Sequence, residues 1–87
     1  MASFMTRHSK LVDRILRGTS DADVGFDELC GLLAKLGFAM RVKGSHHSFS
    51  KAGVAERINL QRDGVNAKPY QVKQVRNALV KNRLLEE

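Results

Sequence analysis

The sequence predicts an α+β fold in a single small domain, and three observations support this prediction. The chain has 87 residues, of which 43% are hydrophobic, enough for one core and no second one. Apolar residues recur at helical spacing in residues 9–18, 26–37 and 68–84. In the residues between the last two segments, apolar positions alternate with polar ones, as in strands. The order α-α-β-β-β-α favours a two-layer sandwich, with helices on one face of an antiparallel sheet and solvent on the other.

The first helix is predicted from "SKLVDRILRG", in which Gly18 suits a left-handed stop. Its apolar positions are Leu11, Val12, Ile15 and Leu16. Because this helix is short, we expect it to pack as an accessory. The next stretch, "TSDADVG", is a predicted linker, since Ser, Asp and Gly all favour turns.

The second helix is predicted from "FDELCGLLAKLG", with Asp27 as its N-terminal cap and Gly37 at its end. Its apolar stripe consists of Phe26, Leu29, Leu32, Leu33 and Leu36. Cys30 lies beside the stripe, and we interpret it as a packing residue, because a reactive thiol needs an activating neighbour. The last helix begins at Pro69, a residue favoured at the first helical position. Its buried stripe consists of Val72, Val75 and Leu79.

A β-hairpin is predicted from "FAMRVKGSHHSFS". Phe38, Met40 and Val42 alternate with residues expected to face water, and the dipeptide Gly44-Ser45 is a two-residue turn signal. A third strand, "ERINLQ", follows a looser turn, and "RDGVNA" is interpreted as a polar loop before the last helix.

The turn at Gly44-Ser45 sets which face each of the two adjacent histidines occupies. The predicted pairs are Lys43 with His46, Val42 with His47, Arg41 with Ser48, and Met40 with Phe49. Opposed residues share a face and successive residues alternate. His47 is therefore expected to face the helices, and His46 is expected to face water among Lys43, Arg41 and Ser48.

The exposed histidine is a candidate for chemistry. An imidazole can accept or release a proton near neutral pH, and the neighbouring cations could hold a phosphate beside His46. A solvated His-Ser-Lys group without chemistry is the alternative. His47 is interpreted as a hydrogen-bonded structural residue, because buried polar groups are usually paired.

Other chemistries lack the residues that they need. Ser45 and Ser48 have no nearby carboxylate to orient a histidine, the closest along the chain being Glu56, so a nucleophile triad is poorly supported. Two adjacent histidines on opposite faces do not chelate one zinc ion easily, and no Cys pair completes a site. The glycines do not form a phosphate-binding P-loop.

Charge and cysteine content favour a polyanion partner and a reducing compartment. Fifteen Lys and Arg against nine Asp and Glu give a net charge of +6, which favours nucleic acid first and an acidic protein second. Cys30 is the single cysteine, so an internal disulfide is impossible and a cytoplasmic location is expected. No leader or long apolar segment suggests secretion or membrane insertion.

The start of the last helix is a second candidate phosphate site. Lys68 and Lys73 lie in its N-terminal half, where cations are mildly unfavourable, and a phosphate bound at the helix start would explain both. A merely solvated basic face is the alternative.

Together, "GSHH", the strand aromatic that follows, "INLQ" and "AKPYQVKQVRN" resemble the HicA toxins of bacterial type II toxin–antitoxin systems. The resemblance extends from about Val24 to Leu84. It implies a fold like that of double-stranded-RNA-binding domains in residues 23–87, with residues 1–22 as an N-terminal helical extension and linker.

The resemblance also implies function. It implies an mRNA interferase, an endoribonuclease that needs no metal or other cofactor, with His46 as the catalytic histidine and Gly44 as the family's glycine before Ser45. Lys43, Arg41 or Lys68 would offset charge on the phosphate, and Lys43, His47, Tyr70 or Lys68 would protonate the leaving oxygen. The implied partners are mRNA and a HicB-type antitoxin that covers His46. The rival predictions are an RNA-binding module without chemistry and, third, a metal-dependent hydrolase.

Overall fold

The computed structural model describes residues 3–85, with side chains from Lys10 onward, and it is an α+β domain of three helices and a small antiparallel sheet. The predicted α+β class is therefore confirmed. In chain order the elements are α1 (Ser3–Arg17), a 3₁₀ turn (Asp21–Asp23), α2 (Phe26–Lys35), β1 (Ala39–Lys43), β2 (His46–Ser50), β3 (Ile58–Leu60), β4 (Arg62–Asp63), β5 (Asn66–Ala67) and α3 (Pro69–Lys81). None of the helices in this described part has the length and apolar character needed to cross a membrane.

The main sheet has the strand order β1-β2-β3, and both pairings are antiparallel. The β1–β2 register pairs Lys43 with His46 and Met40 with Phe49, as the two-residue turn predicted. One face of the sheet is buried under the helices, because Phe49, Ile58 and Leu60 are at most 2% exposed. Asn59, between the last two, is exposed. The alternation of β3 thus confirms one covered and one open face.

Helix α1 shares the central core, so the prediction that it packs as an accessory is wrong. Leu11, Val12 and Ile15 are almost fully buried, whereas Leu16 is 45% exposed. Arg76 of α3 also donates a hydrogen bond to the carbonyl of Ile15, at 3.1 Å. The prediction followed from the shortness of the helix, but its three inward positions contact the same core as α2 and α3.

Helix α2 begins at Phe26 and not with a cap from Asp27, so that prediction is also wrong. Gly25 is the capping residue and has no side chain to donate or accept a hydrogen bond. The Phe26 N–H instead donates to the carbonyl of Val65, at 3.0 Å. Asp27 lies inside the first turn, where its carboxylate pairs with Arg62 at 2.7 Å.

The segment "RDGVNA", predicted as a polar loop, forms the β4–β5 hairpin. Arg62 pairs with Ala67 and Asp63 with Asn66, so Gly64 and Val65 make a two-residue turn. Glycine at the first position of a two-residue turn is a known hairpin signal, but strands this short carry no alternating pattern that reveals them. The hairpin also binds the segment before α2, since Ala67 donates its N–H to the carbonyl of Val24 at 2.9 Å.

The edge strand β1 departs from the predicted burial. Met40 and Val42 pair with Phe49 and His47, and therefore lie on the helix-facing side, as expected. They are nonetheless 55% and 51% exposed, because the helices cover β2 and β3 and do not extend over β1. Alternation predicted the face correctly, but it does not report where the helical layer ends.

Candidate functional site

The β1–β2 turn projects His46 from the open face of the sheet. Gly44 has a φ of +61°, in the left-handed region that glycine adopts without steric penalty, and this permits the tight two-residue reversal. His46 follows as the first residue of β2 and lies directly opposite Lys43. The side chains of both residues are exposed, as is that of Ser45 in the turn. An imidazole and an ammonium group thus share one solvent-facing patch.

His47 faces the helices, as the register predicted. Its ring meets the ring of Phe26 edge to face, with 4.9 Å between centroids and 80° between planes. The guanidinium of Arg62 lies over the same Phe26 ring, at 4.4 Å from its centroid. His47 Nδ1 is buried and has no hydrogen-bond partner among the described residues, so the prediction of a hydrogen-bonded structural histidine is wrong for that atom.

A depression of about 290 Å³ lies farther along the β1–β2 hairpin, and His46 is not part of its lining. Its lining includes the predicted residues Arg41 and Ser48, which are opposite each other in the register. Ser48 Oγ donates to the carbonyl of Arg41 at 3.4 Å. Sequence reasoning missed Arg57 and Ser50, which also line the depression. Alternation could have found Arg57, because the neighbouring Ile58 faces the core.

The start of α3 carries the second predicted group. Lys68 is the N-terminal capping residue and is half-buried, and Pro69 follows at the first helical position, as predicted. Tyr70 is 58% exposed and Lys73 is exposed. No hydrogen bond or ion pair within residues 3–85 joins Lys68 or Lys73 to the β1–β2 hairpin.

The buried side chain of Gln71 links the first turn of α3 to the end of β3 that lies next to the histidines. Gln71 is 3% exposed, and its side-chain oxygen accepts a hydrogen bond from the backbone N–H of Gln61, at 2.7 Å. Gln61 directly follows Leu60, which pairs with His47 on β2. The Gln71 side-chain nitrogen also lies 3.3 Å from the hydroxyl of Tyr70. The first turn of α3 and the histidine pair are thus both anchored at this end of β3.

Two residues weighed for chemistry serve packing or ion pairing instead. Glu56, the nearest carboxylate along the chain after the histidines, accepts hydrogen bonds from Lys81 at 2.8 Å and Asn82 at 2.9 Å. These bonds lower the pKa of Glu56 from 4.5 to about 2, and the bond from Lys81 has the largest effect. Cys30 contacts the core, and burial raises the pKa of its thiol, with Asp27 adding to the effect. A raised pKa disfavours the reactive thiolate, which agrees with a packing role.

Metal ligands do not gather around either group. Within the part of the chain that the structure describes, no three His, Cys, Asp or Glu side chains lie close enough together to hold a metal ion. The arrangement on the open face consists of one exposed imidazole, two cations from β1 and serine hydroxyls. Such a set can bind a phosphate and move a proton.

Comparisons of this chain with protein-family models, with curated proteins and with solved structures found no match.

Proposed function

We propose that this chain is the toxin of a type II toxin–antitoxin system, an mRNA interferase that resembles the HicA family. In this proposal α2, the three-stranded sheet and α3 form a fold like that of double-stranded-RNA-binding domains. The order of these elements, α-β-β-β-α, is compatible with that arrangement. The substrate is mRNA, and neither a metal ion nor another cofactor takes part.

The observation that carries the proposal is the position of His46. It is exposed on the open face, opposite Lys43, while its neighbour His47 packs against Phe26. This arrangement allows a phosphodiester to approach His46 from solvent, with Lys43 and Arg41 beside it. A basic chain with a net charge of +6 would attract RNA to this face.

The proposed reaction begins with proton transfer to neutral His46 from a ribose 2′-hydroxyl. The resulting oxygen attacks the adjacent phosphorus and the bond to the 5′-oxygen breaks, leaving a 2′,3′-cyclic phosphate and a 5′-hydroxyl. General base catalysis of this type contributes on the order of 10²–10⁴-fold. DNA lacks the 2′-hydroxyl, so the reaction requires RNA.

Cations on the same face would stabilise the charge that develops on the phosphoryl oxygens. Lys43 and Arg41 are the best placed, because they lie directly opposite His46 and Ser48 in the β1–β2 register. Lys43 is also the candidate acid nearest in the register to His46. Lys68 and Tyr70, at the start of α3, are further candidates for contact with the RNA. His47 is a weaker candidate acid, because its ring is packed against Phe26.

The proposed partner is a HicB-type antitoxin that covers the basic face and blocks access to His46, and the proposed location is the cytoplasm. An acidic surface on this partner would complement the cations of the open face.

The proposal is tested by expressing the wild-type chain, His46→Ala and His46→Gln under a controlled promoter in bacteria. Wild type should arrest growth and fragment mRNA, while both variants should do neither. His46→Gln keeps a polar side chain of similar reach but cannot act as a base. Circular dichroism of the purified variants should match wild type, because the His46 side chain is exposed.

Purified protein separates the proposal from a non-catalytic RNA-binding module. Cleavage in the presence of EDTA, with cyclic phosphate ends, would support the interferase. If wild type binds RNA without cutting it, and alanine at His46 and at His47 are equally tolerated, the chain is a binding module. Cleavage by His46→Ala at the wild-type rate would remove this residue from the mechanism.

A further inference from the structure

Strand β1 has a free edge that is both apolar and basic. It pairs with β2 on one side only, and all five of its side chains are exposed. On the helix-facing side, Met40 and Val42 form an uncovered apolar strip, at 55% and 51% exposure. On the open side, Arg41 and Lys43 alternate with them. We call these four residues and their backbone the β1 edge.

The register identifies which backbone groups the β1 edge offers. In a hairpin with a two-residue turn, the residues that flank the turn exchange their N–H and C=O groups, and every second pair along the ladder does the same. Lys43 and Arg41 therefore bond to β2. The bond from Ser48 Oγ to the Arg41 carbonyl agrees, because it requires that this carbonyl point toward β2. The N–H and C=O groups of Met40 and Val42 consequently point outward.

Charge excludes one obvious occupant. Antiparallel pairing of two copies through this edge would set Arg41 or Lys43 of one copy beside the same cations of the other, and like charges directly opposite are destabilising. Neither cation forms an ion pair with any residue of the described part of the chain, so no carboxylate in that part neutralises their charge. An RNA strand would meet the cations but has no peptide backbone whose N–H and C=O groups repeat at the spacing of Met40 and Val42.

We propose that the β1 edge binds an extended segment of a partner protein in which apolar and acidic residues alternate, so that the segment adds a fourth strand to the sheet. Its backbone would pair with Met40 and Val42, its apolar side chains would cover these two residues, and its carboxylates would lie beside Arg41 and Lys43. This inference depends on the backbone and charge of β1 and stands whether or not the chain cleaves RNA.

Binding is tested with a short capped peptide in which Glu and Val alternate, labelled for fluorescence anisotropy. Two control peptides have the same length: one groups all Glu before all Val, and the other alternates Lys and Val. The alternating acidic peptide should bind at least about tenfold more tightly than either control. Raising the salt from about 50 mM to about 500 mM should weaken its binding, since exposed charges contribute to it.

Amide hydrogen exchange, read by NMR, gives a signature that simple charge attraction does not. In the free protein, the amides of Arg41 and Lys43 should be protected and those of Met40 and Val42 should exchange rapidly. The bound peptide should slow exchange at Met40 and Val42 at least about tenfold, because only a paired strand protects these two amides.

Three variants isolate the edge. Val42→Pro removes one outward N–H without removing a bond to β2, and it should weaken peptide binding about tenfold or more. Val42→Thr keeps that N–H and the branched side chain, and should bind much more like wild type. If the proline variant does not fold, Arg41→Glu provides a test that leaves the backbone unchanged. It should reverse the peptide preference, so that the peptide alternating Lys and Val binds more tightly than the one alternating Glu and Val.

Four outcomes would overturn the inference. The first is equal binding of the alternating and grouped acidic peptides. The second is protection of the Met40 and Val42 amides in the free monomer. The third is concentration-dependent dimerisation that protects the same amides, which would assign the β1 edge to a second copy. The fourth is protection of these amides by an RNA oligonucleotide alone, which would assign the edge to nucleic acid.

Discussion

Two adjacent residues of the same type have opposite environments in this chain. His46 is in solvent beside Lys43, and His47 has one ring nitrogen buried without a partner and its ring edge on Phe26. The difference arises entirely from strand alternation after a two-residue turn. A one-residue shift of the β1–β2 register would exchange the two environments, so the tight turn at Gly44 determines which imidazole solvent can reach.

Glu56 should give the chain a measurable pH dependence. Lys81 and Asn82 lower its pKa from 4.5 to about 2, so the unfolded chain binds a proton more readily than the folded one. The resulting stabilisation is fully present above about pH 4.5 and is lost as the pH falls through about 2. The melting temperatures of wild type and Glu56→Gln should therefore differ at neutral pH and converge on acidification.

An NMR titration of the Glu56 carboxyl carbon checks the cause directly. In Lys81→Met the midpoint should move upward toward 4.5, because the strongest hydrogen bond to the carboxylate is gone. An unchanged midpoint in that variant would show that Lys81 does not lower the pKa of Glu56.

Among the elements, those with a long periodic pattern could be predicted from sequence. The α2 stripe, the α3 stripe and the β1–β2 register each follow from several residues at one period. The structure confirms them, except that Leu36 lies just after the end of α2 and is only partly buried. The β4–β5 hairpin could not be found this way, because two-residue strands have no period. The exposure of Met40 depends on how far the helices reach across the sheet, which is a property of the assembled layers and not of β1.

The candidate site, too, could be predicted from sequence only in part. The outward position of His46 with Lys43 and Arg41 followed from the turn signal together with the alternation of apolar residues in β1. The position of Lys68 and Lys73 relative to these residues could not be predicted, because it depends on how α3 packs on the sheet. Arg57 could have been predicted, because it directly precedes the inward-facing Ile58 and therefore lies on the open face.

Helix α3 is joined to α1 and the 3₁₀ turn through Arg76. Its guanidinium donates to the Ile15 carbonyl at 3.1 Å and pairs with Asp21 at 2.9 Å, with both side chains about one-fifth exposed. Arg76→Met should lower the free energy of unfolding by about 2 kcal/mol, since it leaves a half-buried carboxylate and a carbonyl without a partner. Chemical denaturation measures the change.

A matched control exists on α1. Arg17 pairs with Asp13 one helical turn away, at 3.0 Å, but both side chains are more than half exposed. Arg17→Met should change the free energy of unfolding by about 0.5 kcal/mol or less. Equal losses in the two variants would mean that Arg76 contributes no more than a surface ion pair.

At the scale of the whole molecule, the first helix belongs to the single core. Ile15 is fully buried and Leu16, its neighbour, is 45% exposed. Ile15→Ala should lower the free energy of unfolding by about 3 kcal/mol through lost burial and a residual cavity, and Leu16→Ala by about 0.5 kcal/mol. For a domain of this size the first loss is a large fraction of the total stability.

The same reasoning applies to truncation. A chain of residues 23–87, cut at the boundary predicted from sequence, should lose cooperative thermal unfolding, because the core surface that contacts Leu11, Val12 and Ile15 becomes exposed. Calorimetry measures this. A cooperative transition near the wild-type temperature would support an independent domain in 23–87.

The contacts of the β4–β5 hairpin with the start of α2 have a consequence for biosynthesis. Phe26 donates its N–H to Val65, and Val24 accepts from Ala67, so two of the bonds that anchor the helix near the beginning of the chain come from residues about forty positions later. During translation the start of α2 leaves the ribosome before these partners do. The start of α2, where Phe26 packs against His47, therefore acquires these two bonds only after the β4–β5 hairpin has emerged.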